Sequence, residues 1–236
     1  ALLQCARMME DGAHIIDIGG ISTRPGAERI SADEEIRRIV PVIHAIIKRF
    51  PDIVLSLDTY HGKTAKEGLE AGAHIINDIS GGAMDDSLFE ILELYKPPYV
   101  LTHIQGTPSD MQKKPQYDDL MPEMIHYFSK KRKILTEIGL NDIILDPGFG
   151  FGKRSEHNYS ILRNLKSLKI LDLPIMVGLS RKSMLYKPLH SIPEKSLEAT
   201  VAANTLALVN GADILRVHDV KAAVDTIKIV NLSQNL

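Results

Sequence analysis

At or just beyond the ends of apolar runs lie three acceptor-bearing residues, Asp58, Asn77 and Asp146, and four cationic or titratable ones, Arg24, Lys182, Arg216 and His218. Two carboxylates and an amide suit the N–H-rich edge of a heterocycle with a guanidine-like pattern. Guanidinium, ammonium and imidazole groups suit a phosphate or diphosphate. Together they describe a ligand with a hydrogen-bonding head and an anionic leaving group. The most informative segment carries one of them: Ile143-Ile144-Leu145 delivers Asp146, and the chain then breaks into Pro147-Gly148-Phe149-Gly150-Phe151-Gly152-Lys153. Proline ends sheet pairing there, and the glycines let backbone approach something flat or charged.

These residues need a scaffold that brings strand ends together. Gly-Ala-x followed by an apolar run occurs three times, at Gly12, Gly72 and Gly211, each time after a helical pattern, so each glycine reads as a helix stop feeding a strand. Strands are predicted near 14–19, 53–58, 74–79, 99–104, 143–146, 174–179 and 214–218. Helices are predicted over the opening residues and near 32–49, 62–71, 86–95, 120–138, 156–168, 194–210 and 220–232. Ser31-Ala32-Asp33-Glu34 is a capping box for the second helix, and Gly139 closes the fifth.

Strict alternation implies a parallel sheet covered by helices. Eight helices against seven strands favour an α/β (β/α)8 TIM barrel whose first strand would precede Ala1 and is missing from this sequence. The rival, a doubly wound sheet, should open on a G-x-G-x-x-G turn, and Gly19-Gly20-Ile21-Ser22 is not one. No domain boundary is visible, so residues 1–236 read as a single domain. The longest irregular stretches, 22–30, 106–119 and 182–193, all follow strands, which places them on the face where barrels bind ligands.

Residues two apart on a strand share a face. Asp58, Asn77, His103, Asp146, Ser180, Arg216 and His218 are therefore predicted to converge, with Leu57 and Val217 turned to the helices. Buried charges are costly unless paired or ligated, so such a ring implies a ligand or a network. Plainer roles compete with this one. Asp58 could cap the following helix; Asp78 reads as structural, His103 as a satisfied barrel histidine, and His14, His44, His61 and His74 as surface or structural. Lys153-Arg154 reads as a solvated basic pair, with a role in ordering the loop as the alternative for Lys153, and Asp17 as an anchor for the following loop through Ser22 or Thr23.

A net charge of -2 gives no nucleic-acid or membrane-surface footprint. No apolar stretch is long enough to span a bilayer, and no signal-peptide pattern opens the chain. The lone Cys5 excludes an internal disulfide, which suits a reducing, cytoplasmic setting, and reads as a small core hydrophobe. Val201, Leu206, Leu208, Val224, Ile227 and Ile229 exceed what one barrel buries and suggest a homodimer.

Taken in order, Ile16 to Gly26, Ser56-Leu57-Asp58-Thr59, Asn77 to Gly82, Asp146 to Lys153, Gly178 to Ser183 and Arg216-Val217-His218-Asp219-Val220 resemble the dihydropteroate synthases, barrel enzymes of folate biosynthesis. The resemblance implies condensation of 6-hydroxymethyl-7,8-dihydropterin diphosphate with p-aminobenzoate to give 7,8-dihydropteroate and diphosphate. Asp58, Asn77, Asp146 and Lys182 would hold the pterin. Thr23, Arg24, Arg216 and His218 would hold the diphosphate, and Pro25, Phe151, Lys182 and Ser183 would frame the p-aminobenzoate, where sulfonamides compete. Asp58, Lys182, Arg216 and His218 would carry the catalysis, without a side-chain nucleophile. Mg²⁺ is the implied cofactor. Its family ligand, an Asn of the first strand and loop, would lie before Ala1, and no metal-ligand spacing appears in the chain, so the metal is expected to arrive on substrate phosphates. Two rival readings are a methyltetrahydrofolate-type pterin-binding methyltransferase, for which the cations around Lys182 and Arg216 would lack a purpose, and a non-catalytic pterin-binding paralogue.

Overall fold

Residues 1–21, 30–106 and 115–234 are described by a computed structural model. Helix α1 (Leu2–Glu10) leads to β1 (Ile15–Gly19), and the alternation continues through α2 (Ala32–Arg49), β2 (Val54–Asp58), α3 (Gly62–Glu70), β3 (Ile75–Asp78), α4 (Ser87–Tyr95) and β4 (Tyr99–Thr102). Next come α5 (Leu120–Glu137), β5 (Ile143–Asp146), α6 (Ser155–Asn164), β6 (Met176–Val177), α7 (Ser183–Tyr186), α8 (Leu197–Val209), β7 (Ile214–Leu215) and α9 (Val220–Gln234). Of these helices, the short α7 falls in a stretch that the sequence reads as irregular.

The repeated Gly-Ala step works as a helix stop in all three places. Gly12, Gly72 and Gly211 take positive φ angles of 97°, 111° and 96°. The next N–H then returns to a carbonyl one turn and more behind it: Ala13 to Met8, Ala73 to Gly68 and Ala212 to Ala207, each at 2.9 Å. This closure satisfies carbonyls that the helix end would otherwise leave bare. At the other kind of terminus, Ser31 accepts the Glu34 N–H at 3.3 Å, while the Glu34 carboxylate turns to Arg37 and Arg38.

All strand pairs are parallel. β1 to β5 form one ladder in sequence order, β6 and β7 form a second, and a bridge from Leu145 to Ile175 joins them. β6 and β7 are shorter than the sequence suggests. Pro174 has no N–H to give, and beyond the Arg216 N–H, which still reaches the Val177 carbonyl, the His218 N–H turns to the Ser180 side chain.

Alternation along the strands builds two cores. Ile75, Val100 and Met176, with Ile144 and Ile214 against them, fill the inside. Leu55, Leu57, Ile76, Leu101, Leu145 and Val177 point outward into the larger shell beneath the helices. Cys5 is buried in that shell. Two residues on from Ile75, Val100, Ile144 and Ile214, on the same face and nearer the C-terminal end, come Asn77, Thr102, Asp146 and Arg216. The barrel thus carries its polar residues at one end because the inner apolar layer stops there.

Candidate functional site

Between the ladder edges β1 and β7 a cleft of about 420 Å³ opens towards these strand ends, lined by Asp17, Ser180, Lys182, Arg216 and His218 among others. A larger hollow of about 510 Å³ lies between α5 and α6, against Asp118, Asp119, Glu156 and His157. It holds none of the convergent residues, whereas the cleft along β1 and β7 is lined by Ser180, Lys182, Arg216 and His218.

One guanidinium organises the cleft. Arg216 donates from Nε to Asp17 Oδ2 at 2.7 Å and from Nη2 to Asp58 Oδ2 at 2.9 Å. Asn77 Nδ2 reaches both oxygens of Asp17, at 3.3 and 3.2 Å. Burial works against the Arg216 charge, yet Asp17 and Asp58 outweigh it and raise its pKa. Burial, then the like charge of Asp17, push Asp58 up to about 8, against the pull of Arg216. The Arg216 side chain remains 45% exposed, so the guanidinium has an open edge at the rim.

A second cluster sits on the β5 loop. Asp146 accepts the Gly148 N–H at 2.7 Å, and burial raises its pKa while Lys182 opposes the rise. Lys182, the residue before α7, donates to the Phe149 carbonyl and lies 5.0 Å from the centre of the Phe151 ring. Burial lowers it to about 8, with Asp146 pulling the other way. Ser183 begins α7 and is exposed beside it. His218 Nδ1 lies 3.0 Å from Ser180 Oγ, and Arg181 grips both oxygens of Asp219, at 3.1 and 2.6 Å, which fastens the loop after β6 to the start of α9.

Lys182, Arg216 and His218 line the cleft, Asp58 joins it through Arg216 and Asn77 through Asp17, and Asp146 and Phe151 stand next to Lys182. Thr23, Arg24 and Pro25, with Ser22, lie outside the described residues. Asp58 does not cap α3: the Gly62 N–H is taken by Asp85 Oδ2 at 2.8 Å. Asp78 is structural, accepting from Ser80 N, Gly82 N and Tyr99 Oη at 2.6–2.7 Å.

Two readings need correction. His103 is one residue off the inner face, so it packs outward against Tyr127 and Phe128 of α5. Burial holds it down at about 3, hence neutral, and its Nδ1 has no partner among the described residues. Lys153 is not solvated but 3% exposed. Asp17 holds Arg216 and Asn77, while Ser22 and Thr23, its expected loop partners, lie outside the described residues. The signal was present in the sequence, since Asp17 follows Ile15 by two on an inner face, but the register that sets it beside Arg216 was not.

The loop's glycines are required by contact. A Cβ on Gly148, where φ is 67°, would overlap the carbonyl oxygen of His103. Gly148→Ala is expected to destabilise the fold by about 1–2 kcal/mol for the left-handed backbone and by about 1–3 kcal/mol more for overpacking. Urea unfolding followed by circular dichroism checks this; an unchanged midpoint would show that the loop stands clear of β4.

A family model described as pterin-binding enzyme matches residues 1–218. Dihydropteroate synthase of Synechocystis sp. is 42% identical over 234 residues, covering 98% of this chain and 81% of the relative. The Yersinia pestis dihydropteroate synthase, solved in a sulfonamide drug complex, superposes with a TM-score of 0.96 at 42% identity, covering 100% of this chain and 86% of that one. The Xanthomonas albilineans dihydropteroate synthase, solved with 4-aminobenzoic acid, superposes at 0.93 with 34% identity, covering 100% and 84%.

Proposed function

Since the chain belongs to the pterin-binding enzymes, and within them to the dihydropteroate synthases, we propose that its cleft condenses 6-hydroxymethyl-7,8-dihydropterin diphosphate with p-aminobenzoate. The observation that carries the assignment of roles is the single guanidinium suspended between Asp17 and Asp58 with its outer edge open. Its inner side belongs to the head-group pocket and its outer side to an anion.

Asp58, Asn77 and Asp146 bind the N–H edge of the pterin. Arg216 and His218, with Thr23 and Arg24, receive the diphosphate. The C–O bond between the pterin methylene and the diphosphate breaks, its electron pair leaves on the diphosphate, and the electron-rich pterin carries the positive charge beside Asp58. The aniline nitrogen of p-aminobenzoate, held between Phe151 and Lys182 near Ser183 and Pro25, then attacks the methylene and releases a proton to water. Cations fixed at the site of developing negative charge lower such a barrier because they need no reorganisation at the moment of cleavage. Among the described residues no three His, Cys, Asp or Glu side chains stand together as a metal cage. The cations at the rim suit the phosphate groups themselves, and a metal would arrive on those phosphate oxygens. Mg²⁺ bound in this way would neutralise charge on the departing diphosphate.

The test is product formation by the full-length protein with dihydropterin diphosphate and Mg²⁺, with and without p-aminobenzoate. Dihydropteroate that forms only with p-aminobenzoate supports the assignment. A protein that binds pterin and makes no product refutes it. Sulfonamides should compete with p-aminobenzoate at Phe151 and Lys182, raising its KM without lowering kcat.

Among the described residues no helix is long and apolar enough to cross a membrane, and the buried single cysteine suits the cytoplasm. The chain forms a homodimer through α8 and α9, where Leu206, Val209, Ile229 and Leu232 are each more than half exposed. Apolar patches of this kind mark association surfaces. Leu206→Arg with Ile229→Arg is expected to halve the mass seen by light scattering while the fold persists. An unaltered mass would remove this face from the interface.

A further inference from the structure

In the proposed chemistry His218 meets an anion, which an imidazole nitrogen can face with a proton or with a lone pair. Its Nδ1 lies 3.0 Å from Ser180 Oγ, and its own backbone N–H donates to the same oxygen at 3.3 Å. Ser180 is 6% exposed, and among the described residues its hydroxyl has no partner beyond these two. The backbone N–H only donates, so it takes one lone pair of Oγ. A proton on Nδ1 would take the second lone pair and leave the Ser180 O–H buried without an acceptor, which is costly. With Nδ1 bare, the hydroxyl accepts from the backbone and donates to the ring, and each of these groups is satisfied. The hydrogen bond at one ring nitrogen decides where the proton of the neutral ring sits, and here that is Nε2.

We infer that Ser180 is a positioning residue that fixes His218 in the tautomer with its proton on Nε2, so that His218 meets the diphosphate as a hydrogen-bond donor. This rests on the reaction proposed above. Ser180 and His218 line the cleft together with Arg216, and the two diphosphate partners divide their task. Arg216 supplies charge that is already held in place by Asp17 and Asp58, whereas His218 supplies a directed N–H. In the opposite tautomer Nε2 would carry a lone pair, and that lone pair would repel a phosphate oxygen. The pinned ring also has no basic nitrogen to offer, because Nδ1 is committed to Ser180 and Nε2 is protonated. His218 is therefore barred from taking the proton of the aniline nitrogen, in keeping with its release to water. Ser180 stands just beyond β6 and His218 just beyond β7, so the contact that sets the tautomer is decided by the pairing of these two strands.

The test reads the proton directly. In isotope-labelled full-length protein, the long-range proton–nitrogen NMR spectrum of the imidazoles separates the two tautomers, with the His218 signals identified by their loss in His218→Gln. The wild type is expected to show Nε2–H, and Ser180→Ala a mixture of both forms. Binding of inorganic diphosphate with Mg²⁺, measured by calorimetry, should weaken about tenfold in Ser180→Ala, the worth of one hydrogen bond to a charged group. It should return towards the wild-type value in Ser180→Thr, which restores the hydroxyl. A wild-type ring protonated on Nδ1 overturns the inference, as does a Ser180→Ala variant that binds diphosphate within about twofold of wild type. A Ser180→Ala variant that melts earlier yet keeps Nε2–H would make the serine purely structural and also overturn it. If the variants fail to fold, the wild-type spectrum alone decides. Protein that shows Nε2–H and binds diphosphate but forms no dihydropteroate would overturn the proposed reaction and leave the tautomer assignment standing.

Discussion

Arg216→Ala is expected to lower kcat on the order of 10²–10³, the loss seen when one fixed donor to developing charge is removed, while pterin affinity changes far less. The expectation follows from where the guanidinium stands. Its bonds to Asp17 and Asp58 hold it in place before substrate arrives, so no energy is spent orienting it during C–O cleavage. Arg216→Lys should recover only part of the loss. An ammonium is a point charge and cannot bridge two carboxylates with the fixed geometry of a planar fork. There is a secondary effect on binding, with a definite sign. Arg216 draws the Asp58 pKa down, so its removal lets Asp58 rise further and favours the protonated acid. Steady-state kinetics together with direct pterin titration separates the two. Equal losses in kcat and in pterin affinity would assign Arg216 to the pocket rather than to the leaving group.

A narrow bell-shaped pH profile of kcat/KM, peaking near pH 8, is the second large effect. Asp58 is pushed up to about 8 by burial and by Asp17, so below that pH it holds a proton and is a poorer acceptor for the pterin N–H edge. Affinity should therefore climb as pH rises towards about 8. Lys182 is lowered to about 8 by burial, so above that pH it loses the proton, and with it the charge over Phe151 and the ability to hold an anion. The two limbs belong to a coupled network, and their apparent values describe the network rather than single residues. Asp58→Asn should weaken pterin binding by about 1.5–3 kcal/mol, the worth of a charged hydrogen bond, and flatten the acidic limb. Lys182→Arg should remove the alkaline limb, because a guanidinium does not lose its proton in this range. An acidic limb that persists in the Asp58→Asn variant would move the rising ionisation to Asp146.

What the sequence determined about this protein was its periodicity and its punctuation. Apolar runs alternating with amphipathic segments, and a glycine stop used three times, suffice for the order of strands and helices because both are local: the glycine serves its own helix end. The same alternation placed Asp58, Asn77, Asp146 and Arg216 on one face at the strand ends, Lys182 stood out as a cation just past an apolar run, and the resemblance added a role for Phe151. It could not place Asp17. An aspartate at that position bonds equally well to its own loop, and only the inter-strand register, which puts β1 beside β2 and brings Arg216 across from β7, decides for the site. Nor could it decide for Lys153 between half of an exposed basic pair and a residue that orders the loop, until the β5 loop folds back on His103 and seals it. His103 failed in the opposite sense, since one step along a strand reverses the face and turns a candidate for the cleft into a packing residue. Tertiary structure decided these three because charge, burial and partner are properties of what surrounds a side chain, and for each of them the surroundings come from segments distant in sequence.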